Sequence, residues 1–147
     1  MGERHMPAFF RATAAEFIQR PSDQIVGTLS ASLIESFSGD YTRQLTSWES
    51  QIKILKLAFE RLIVESPRIL HWGILFEYPL LRLQRRLDVV LLAESCVIVV
   101  EFKVGSDSYH SGDIHQVEDY ALDLRDFHKD SHDRSIVPVL CSTNAPG

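Results

Sequence analysis

Hydrophobic and polar positions change period several times along the chain, and each change marks an element. Between residues 47 and 64, Trp48, Ile52, Leu55, Phe59, Leu62 and Ile63 recur at helical spacing, which predicts an amphipathic helix. Thr46 and Glu49 stand at capping-box spacing at its start. Upstream, residues 11–19 and a segment opening at Ser22 read as shorter helices, with Ser22 as an N-cap after Pro21. Ser38-Gly39-Asp40 is a loop signal. The texture then turns to short runs rich in Val, Ile, Leu and Phe over 74–78, 86–92 and 96–103, as strands are. Helical spacing returns over 113–128, where Ile114, Val117, Ala121, Leu124 and Phe127 form the apolar face. Residues 135–142, SIVPVLCS, read as one more strand. Pro138 within it cannot donate to a ladder, which predicts a sheet edge or the end of the strand.

The order helix, three strands, helix, strand predicts an α/β domain over residues 46–147 with a mixed sheet flanked by helices. Residues 1–45 read as an N-terminal extension of short helices. The chain ends five residues after the last predicted strand, which points to a piece of a longer protein. With 147 residues, 45% of them hydrophobic and 24% charged, the composition supports one buried core and excludes wholesale disorder and collagen-like architecture. Only Cys96 and Cys141 are present, without paired spacing, so neither a zinc knuckle nor a disulfide framework is supported. Both lie in apolar strands and are expected to be buried packing residues. The apolar runs are too short to span a bilayer and the N-terminus lacks a secretory stretch, so a soluble cytoplasmic protein is expected.

Charge changes this picture only when it is mapped. The chain carries 15 Lys+Arg against 20 Asp+Glu, a net −5. Eight of those acids and only two bases, Arg125 and Lys129, fall between Ser106 and Asp133, which leaves the remainder near neutral. The acidic total describes one segment and does not exclude a nucleic-acid substrate, although it argues against tight, purely electrostatic binding.

Candidate chemistry comes from the strand pair 86–92 and 96–103. If Glu94-Ser95 is the turn, opposite positions place Asp88 against Glu101. Strand alternation puts Glu101 and Lys103 on one face and turns Phe102 away. Directly opposed carboxylates repel, and a divalent cation is one way to compensate them. Lys103 could then orient a water or stabilise charge on a phosphate. The alternative is a solvated strand-end salt network of Arg86, Asp88, Glu101 and Lys103. Arg82, Arg85 and Arg86 form a basic cluster just before Asp88 and suit phosphate contact, or simply an exposed loop. His128, Asp130, His132 and Asp133 read better as a polar loop than as metal ligands. Neither a G-x-S-x-G elbow nor a G-x-x-x-x-G-K-[ST] loop occurs, so serine-hydrolase and ATPase activities have no support.

The spacing Asp88, twelve residues, then Glu101-Phe102-Lys103 resembles the PD-(D/E)XK nuclease superfamily. Gln116 and Tyr120, in HQVEDY, resemble the Q-x-x-x-Y motif of its RecB-like branch. The resemblance covers about residues 46–142 and implies a restriction-endonuclease-like α-β-β-β-α-β core. It implies Mg²⁺ or Mn²⁺ held by Asp88 and Glu101, with help from Glu77 and the carbonyl of Phe102. It further implies Lys103 in phosphodiester hydrolysis and Gln116 and Tyr120 steadying the site or the nucleic acid, DNA more readily than RNA. The stretches RRLDVVLL, VVEFKVG and QVEDYALDLRDFH, with MPAFFRATAAEF at the start, look like the nuclease-like N-terminal region of bacterial helicase-containing proteins, which implies a helicase partner. Leu87 stands where the family has Pro. Two rival expectations remain: a non-catalytic module of the same fold that binds nucleic acid or docks on a helicase, and a protein-interaction domain using Asp119, Asp123 and Asp126 on the outward face of the last helix.

Overall fold

The computed structural model describes residues 8–36, 41–103, 111–127 and 135–142. Its elements in chain order are β1 (Phe10–Thr13), α1 (Ala14–Gln19), α2 (Ser22–Ser36), α3 (Tyr41–Glu65), β2 (Gly73–Leu80), β3 (Arg85–Leu92), β4 (Cys96–Lys103), α4 (Ser111–Phe127) and β5 (Ser135–Ser142). The five strands form one sheet in the order β1-β2-β3-β4-β5. Neighbours are antiparallel except β4 and β5, which run parallel. Helix α4 lies between those two strands in the chain, as a parallel pair requires of its connection. Pro138 therefore sits on an edge strand, where a missing N–H costs least. No helix among the described residues is long and apolar enough to cross a membrane.

One apolar cluster lies on each face of the sheet. Phe10, Phe17, Ile25, Leu29, Trp48 and Phe59 from the N-terminal elements and α3 pack with Phe76, Val89, Val100 and Phe102 on one face. Val117, Tyr120 and Leu124 of α4 pack with Leu75, Leu87, Val90 and Val99 on the other. Residues before α3 are thus built into the core: β1 extends the sheet, and Phe17 meets Phe59 and Phe10 edge-on at centroid distances of 6.0 and 6.4 Å. Such ring pairs add to the burial gain of each phenyl group, about 1.5–3 kcal/mol per side chain.

Several elements differ from their expected form. Phe10–Thr13 is a strand, not the opening of a helix over 11–19, because pairing with β2 overrides the local helical preference. A capping box does form, but at Thr13 and Glu16, which starts α1. Helix α2 begins at Ser22 itself, with the Pro21 carbonyl accepting from the Ile25 N–H. Helix α3 begins at Tyr41, so Thr46 is no cap; its hydroxyl donates back to the Thr42 carbonyl one turn earlier. Leu62 is 43% exposed near the end of that helix. Cys96 and Cys141 are half-buried rather than fully buried. Ser38-Gly39-Asp40 and the group His128, Asp130, His132 and Asp133 lie outside the described residues.

Candidate acidic site at the fork of β3 and β4

The β3–β4 hairpin pairs Val89 with Val100 and Leu92 with Val97. Beyond Val89 and Val100 the two strands stop pairing with each other. Arg85–Leu87 continue against β2, while Glu101–Lys103 continue against β5. The fork that opens is held by side chains. The Asp88 N–H donates to Glu101 Oε1 at 3.0 Å, and the Phe102 N–H donates to Asp88 Oδ2 at 2.8 Å. Each carboxylate therefore reaches across to the other strand's backbone.

A second irregularity coincides with this row. Phe76 pairs with Val89 and Tyr78 with Leu87, and the intervening Glu77 and Asp88 are not paired. Glu77 has φ 56°, left-handed for a non-glycine residue within a strand, a conformation that costs on the order of 1–2 kcal/mol. The faces of both strands reverse there. In β2, Leu75 packs under α4 and Phe76 under α3, yet beyond Glu77 both Tyr78 and Leu80 lie on the α4 side. In β3, Val89 and Leu91 lie under α3 but Leu87 and Val90 lie under α4. Strict alternation would put Leu87 with Val89 and Tyr78 with Phe76. Because both strands reverse together, the register is unchanged on either side of the row.

Three carboxyl groups thus occupy adjacent strands, at Glu77, Asp88 and Glu101. All three residues are half-buried. Burial, and then repulsion from Asp88, raise the Glu101 carboxyl to about 10. Burial likewise raises Asp88, opposed by its hydrogen bonds with Glu101 and the Phe102 N–H and by the positive charge of Lys103. At neutral pH the Asp88–Glu101 pair therefore holds a proton that two ordinary carboxylates would have lost. Glu77 is raised to about 7 by burial and by Asp88, while a hydrogen bond from Trp48 and the charge of Arg86 pull the other way.

The other expected residues divide. Lys103 is exposed at the end of β4, with its charge felt at Asp88. Tyr120 is buried in the α4-side cluster; its phenol is raised by burial and by the nearby Glu101, with Arg85 acting in the opposite sense. Gln116, one turn earlier on α4, is exposed. Glu77 is turned to the α3 side, where Trp48 Nε1 donates to its Oε2 at 3.5 Å. Of Phe102, it is the N–H that touches Asp88. Among the described residues no group of three or more His, Cys, Asp or Glu side chains is arranged to hold a metal ion. The donors that meet directly are Asp88 and Glu101. An all-oxygen pair of this kind suits a hard cation such as Mg²⁺ or Mn²⁺, which keeps most of its waters.

The three clustered arginines take separate roles. Arg82 Nε pairs with Asp123 Oδ1 at 3.2 Å. This buries Asp123, 5% exposed, and corrects its placement on an outward acidic face. The buried arc of α4 is accordingly turned away from Ile114, which is 41% exposed, toward Asp123. Asp119 is exposed, and the Asp126 side chain lies outside the described residues. Arg86 Nη1 donates to the Glu77 carbonyl at 2.6 Å, and its guanidinium lies 4.0 Å from the Phe9 ring centre. Arg85 is exposed and shares the α4 side with Leu87 two residues on, near Tyr120. Sequence spacing does not single out Trp48 or Phe9 as neighbours of this row; Arg86, which the salt-network alternative groups with the acids, meets Glu77 through its backbone carbonyl. Compared with protein-family models, with curated proteins and with solved structures, the chain matches none.

Proposed function

We propose that this chain is a metal-dependent nuclease module of the PD-(D/E)XK type, with a restriction-endonuclease-like core and a phosphodiester of nucleic acid as substrate. The observation that carries the proposal is the fork at Asp88 and Glu101. Two carboxylates from opposed strands converge at the point where the ladder opens, at a cost in repulsion and desolvation that packing alone does not require. Asp88 and Glu101 would hold Mg²⁺ or Mn²⁺, with Glu77 and the Phe102 carbonyl the further oxygen donors within the same row. When bound, the cation would neutralise the pair and stabilise charge on phosphate oxygens. Lys103, on the Glu101 face, would orient the attacking water and stabilise developing negative charge. Arg85 and the Tyr120 hydroxyl flank the acids on the α4 side and would hold a phosphate oxygen. Gln116, exposed one turn away, would touch the nucleic-acid backbone. DNA is the substrate we favour, and a helicase-type ATPase the partner, given the resemblance of the motif set.

Alanine at Asp88 or at Lys103 tests this. Mg²⁺-dependent cleavage of DNA should vanish in both variants while the circular dichroism spectrum stays that of the parent. Unchanged cleavage in the two variants rejects the assignment. A second reading is a non-catalytic module of the same fold, and one observation favours it. Both carboxylates already bond backbone N–H groups, so the acid pair can serve to pin the fork. Isothermal titration separates the two readings: a chain that takes up no Mn²⁺ is the module.

A further inference from the structure

Arg86 stands out because its side chain is committed on two sides, and neither commitment faces solvent phosphate. Its guanidinium lies over Phe9, the residue just before β1, and donates to the backbone carbonyl of Glu77 on β2, while its own backbone is in β3. It therefore ties together the three strands that meet the row of acids from one side. At that row β2 and β3 do not pair, the Asp88 N–H goes to Glu101, and the Glu77 carbonyl accepts from the Arg86 side chain. Side chains have replaced the ladder on both flanks of Asp88. The left-handed backbone at Glu77 needs such a tie, because a non-glycine residue leaves that conformation unless its surroundings hold it.

We infer that Arg86 is a positioning residue: by clamping the Glu77 turn against Phe9, it keeps β2 and β3 reversed at the acid row and so holds Asp88 aimed across the fork at Phe102. This rests on the metal-site reading above and goes beyond it, since it assigns the least exposed arginine of the cluster to site geometry and leaves Arg85 to the substrate. The planar fork matters as well as the charge. A lysine can neutralise but cannot both lie flat on a ring and present a directed N–H to a carbonyl.

The test uses the whole chain, with Arg86→Gln and Arg86→Lys beside the parent. Mn²⁺ affinity is read by isothermal titration, and cleavage is read as kcat against Mg²⁺ concentration. Both substitutions should weaken Mn²⁺ binding by about 10–100-fold, the range for residues that orient metal ligands. At saturating Mg²⁺, kcat should return close to the parent value. Parent-like Mn²⁺ affinity in Arg86→Gln overturns the inference. So does full affinity in Arg86→Lys, which would make charge sufficient. A loss of kcat that added metal does not restore also overturns it, in favour of direct substrate contact. Should Arg86→Gln fail to fold, Phe9→Leu removes the stacking surface alone and is read against the same three outcomes. A parent chain that binds no Mn²⁺ removes the metal reading itself. The clamp is then judged by Trp48 emission, identified by its loss in Trp48→Phe: release of the Glu77 turn in Arg86→Gln should shift it, and an unshifted spectrum rejects the clamp.

Discussion

The fold tolerates the charge of Glu101 poorly, and that intolerance sets a measurable pH dependence. Its carboxyl lies at about 10 and that of Glu77 at about 7, both raised from an ordinary 4.5 by burial first and by Asp88 second. A group whose folded pKa lies above its unfolded value stabilises the fold fully below the unfolded value, and that contribution disappears as pH rises through the folded one. The metal-free protein should therefore lose stability as pH rises from about 4.5, through 7 for Glu77 and on toward 10 for Glu101. Thermal unfolding in the presence of a chelator measures it. The midpoint is expected to fall between about pH 5 and pH 9, and Glu101→Gln should flatten the alkaline part of that fall by removing the group that must ionise. A parent midpoint that is level across the range, or a variant that follows the parent point for point, contradicts the assigned burial. The same carboxyls must lose protons to accept a cation, so Mn²⁺ binding should release protons and strengthen as pH rises. Calorimetry in two buffers of different ionisation enthalpy counts those protons.

At the scale of elements, α1 depends on its cap. The six-residue helix Ala14–Gln19 is too short to persist on propensity alone. It is fixed by the reciprocal bonds between Thr13 and Glu16 and by the burial of Phe17. Thr13→Ala should cost about 1 kcal/mol, a fall of roughly 3 °C in the unfolding midpoint for a chain of this size; a loss below a few tenths would mean that Phe17 alone holds the helix. This element also shows where sequence and fold part company. The pattern T-A-A-E that caps α1 begins on the last residue of FRAT, and four residues of strand carry too little alternation to separate from helix, so β1 exists only through its pairing with β2. The hairpin of β3 and β4 was the opposite case. Two runs of β-branched and aliphatic residues around a short turn specify both strands; with both faces apolar, their register rests on the turn at Glu94-Ser95. The reversal at Glu77 and Asp88 was not legible, since positive φ at a glutamate has no signature in a single sequence; in the fold the carbonyl of that residue meets the guanidinium of Arg86. Nor was the burial of Asp123, whose partner Arg82 is 41 residues away. The acids of the row could be read from spacing; Trp48 and Phe9, which meet Glu77 and Arg86, come from elements that only the fold brings together.

For the whole molecule, charge decides how this chain can meet a polyanion. Its net charge is −5, concentrated in Ser106–Asp133, while Arg82 and Arg86 are engaged within the fold at Asp123 and Glu77. Arg85 and Lys103, both exposed, lie near the acidic row, where their charges act on Tyr120 and Asp88. Each phosphate neutralised on duplex DNA contributes about −0.9 to the slope of log K against log salt concentration. A chain that engages phosphate through these two residues should bind duplex DNA weakly, with a slope of about −2, well short of the values near −10 that extended basic surfaces reach. Replacing Arg85 by Ala should bring that slope down by about 1 and weaken binding to all sequences alike, without touching Mn²⁺ affinity. Arg86→Gln should do the reverse, lowering metal affinity while the salt slope stays at the parent value. Fluorescence anisotropy of a labelled duplex over a range of salt concentrations, with Ca²⁺ to prevent turnover, measures both. A steep parent slope would place the nucleic acid on a surface away from the fork. A slope that falls in Arg86→Gln and not in Arg85→Ala would exchange the roles of the two arginines.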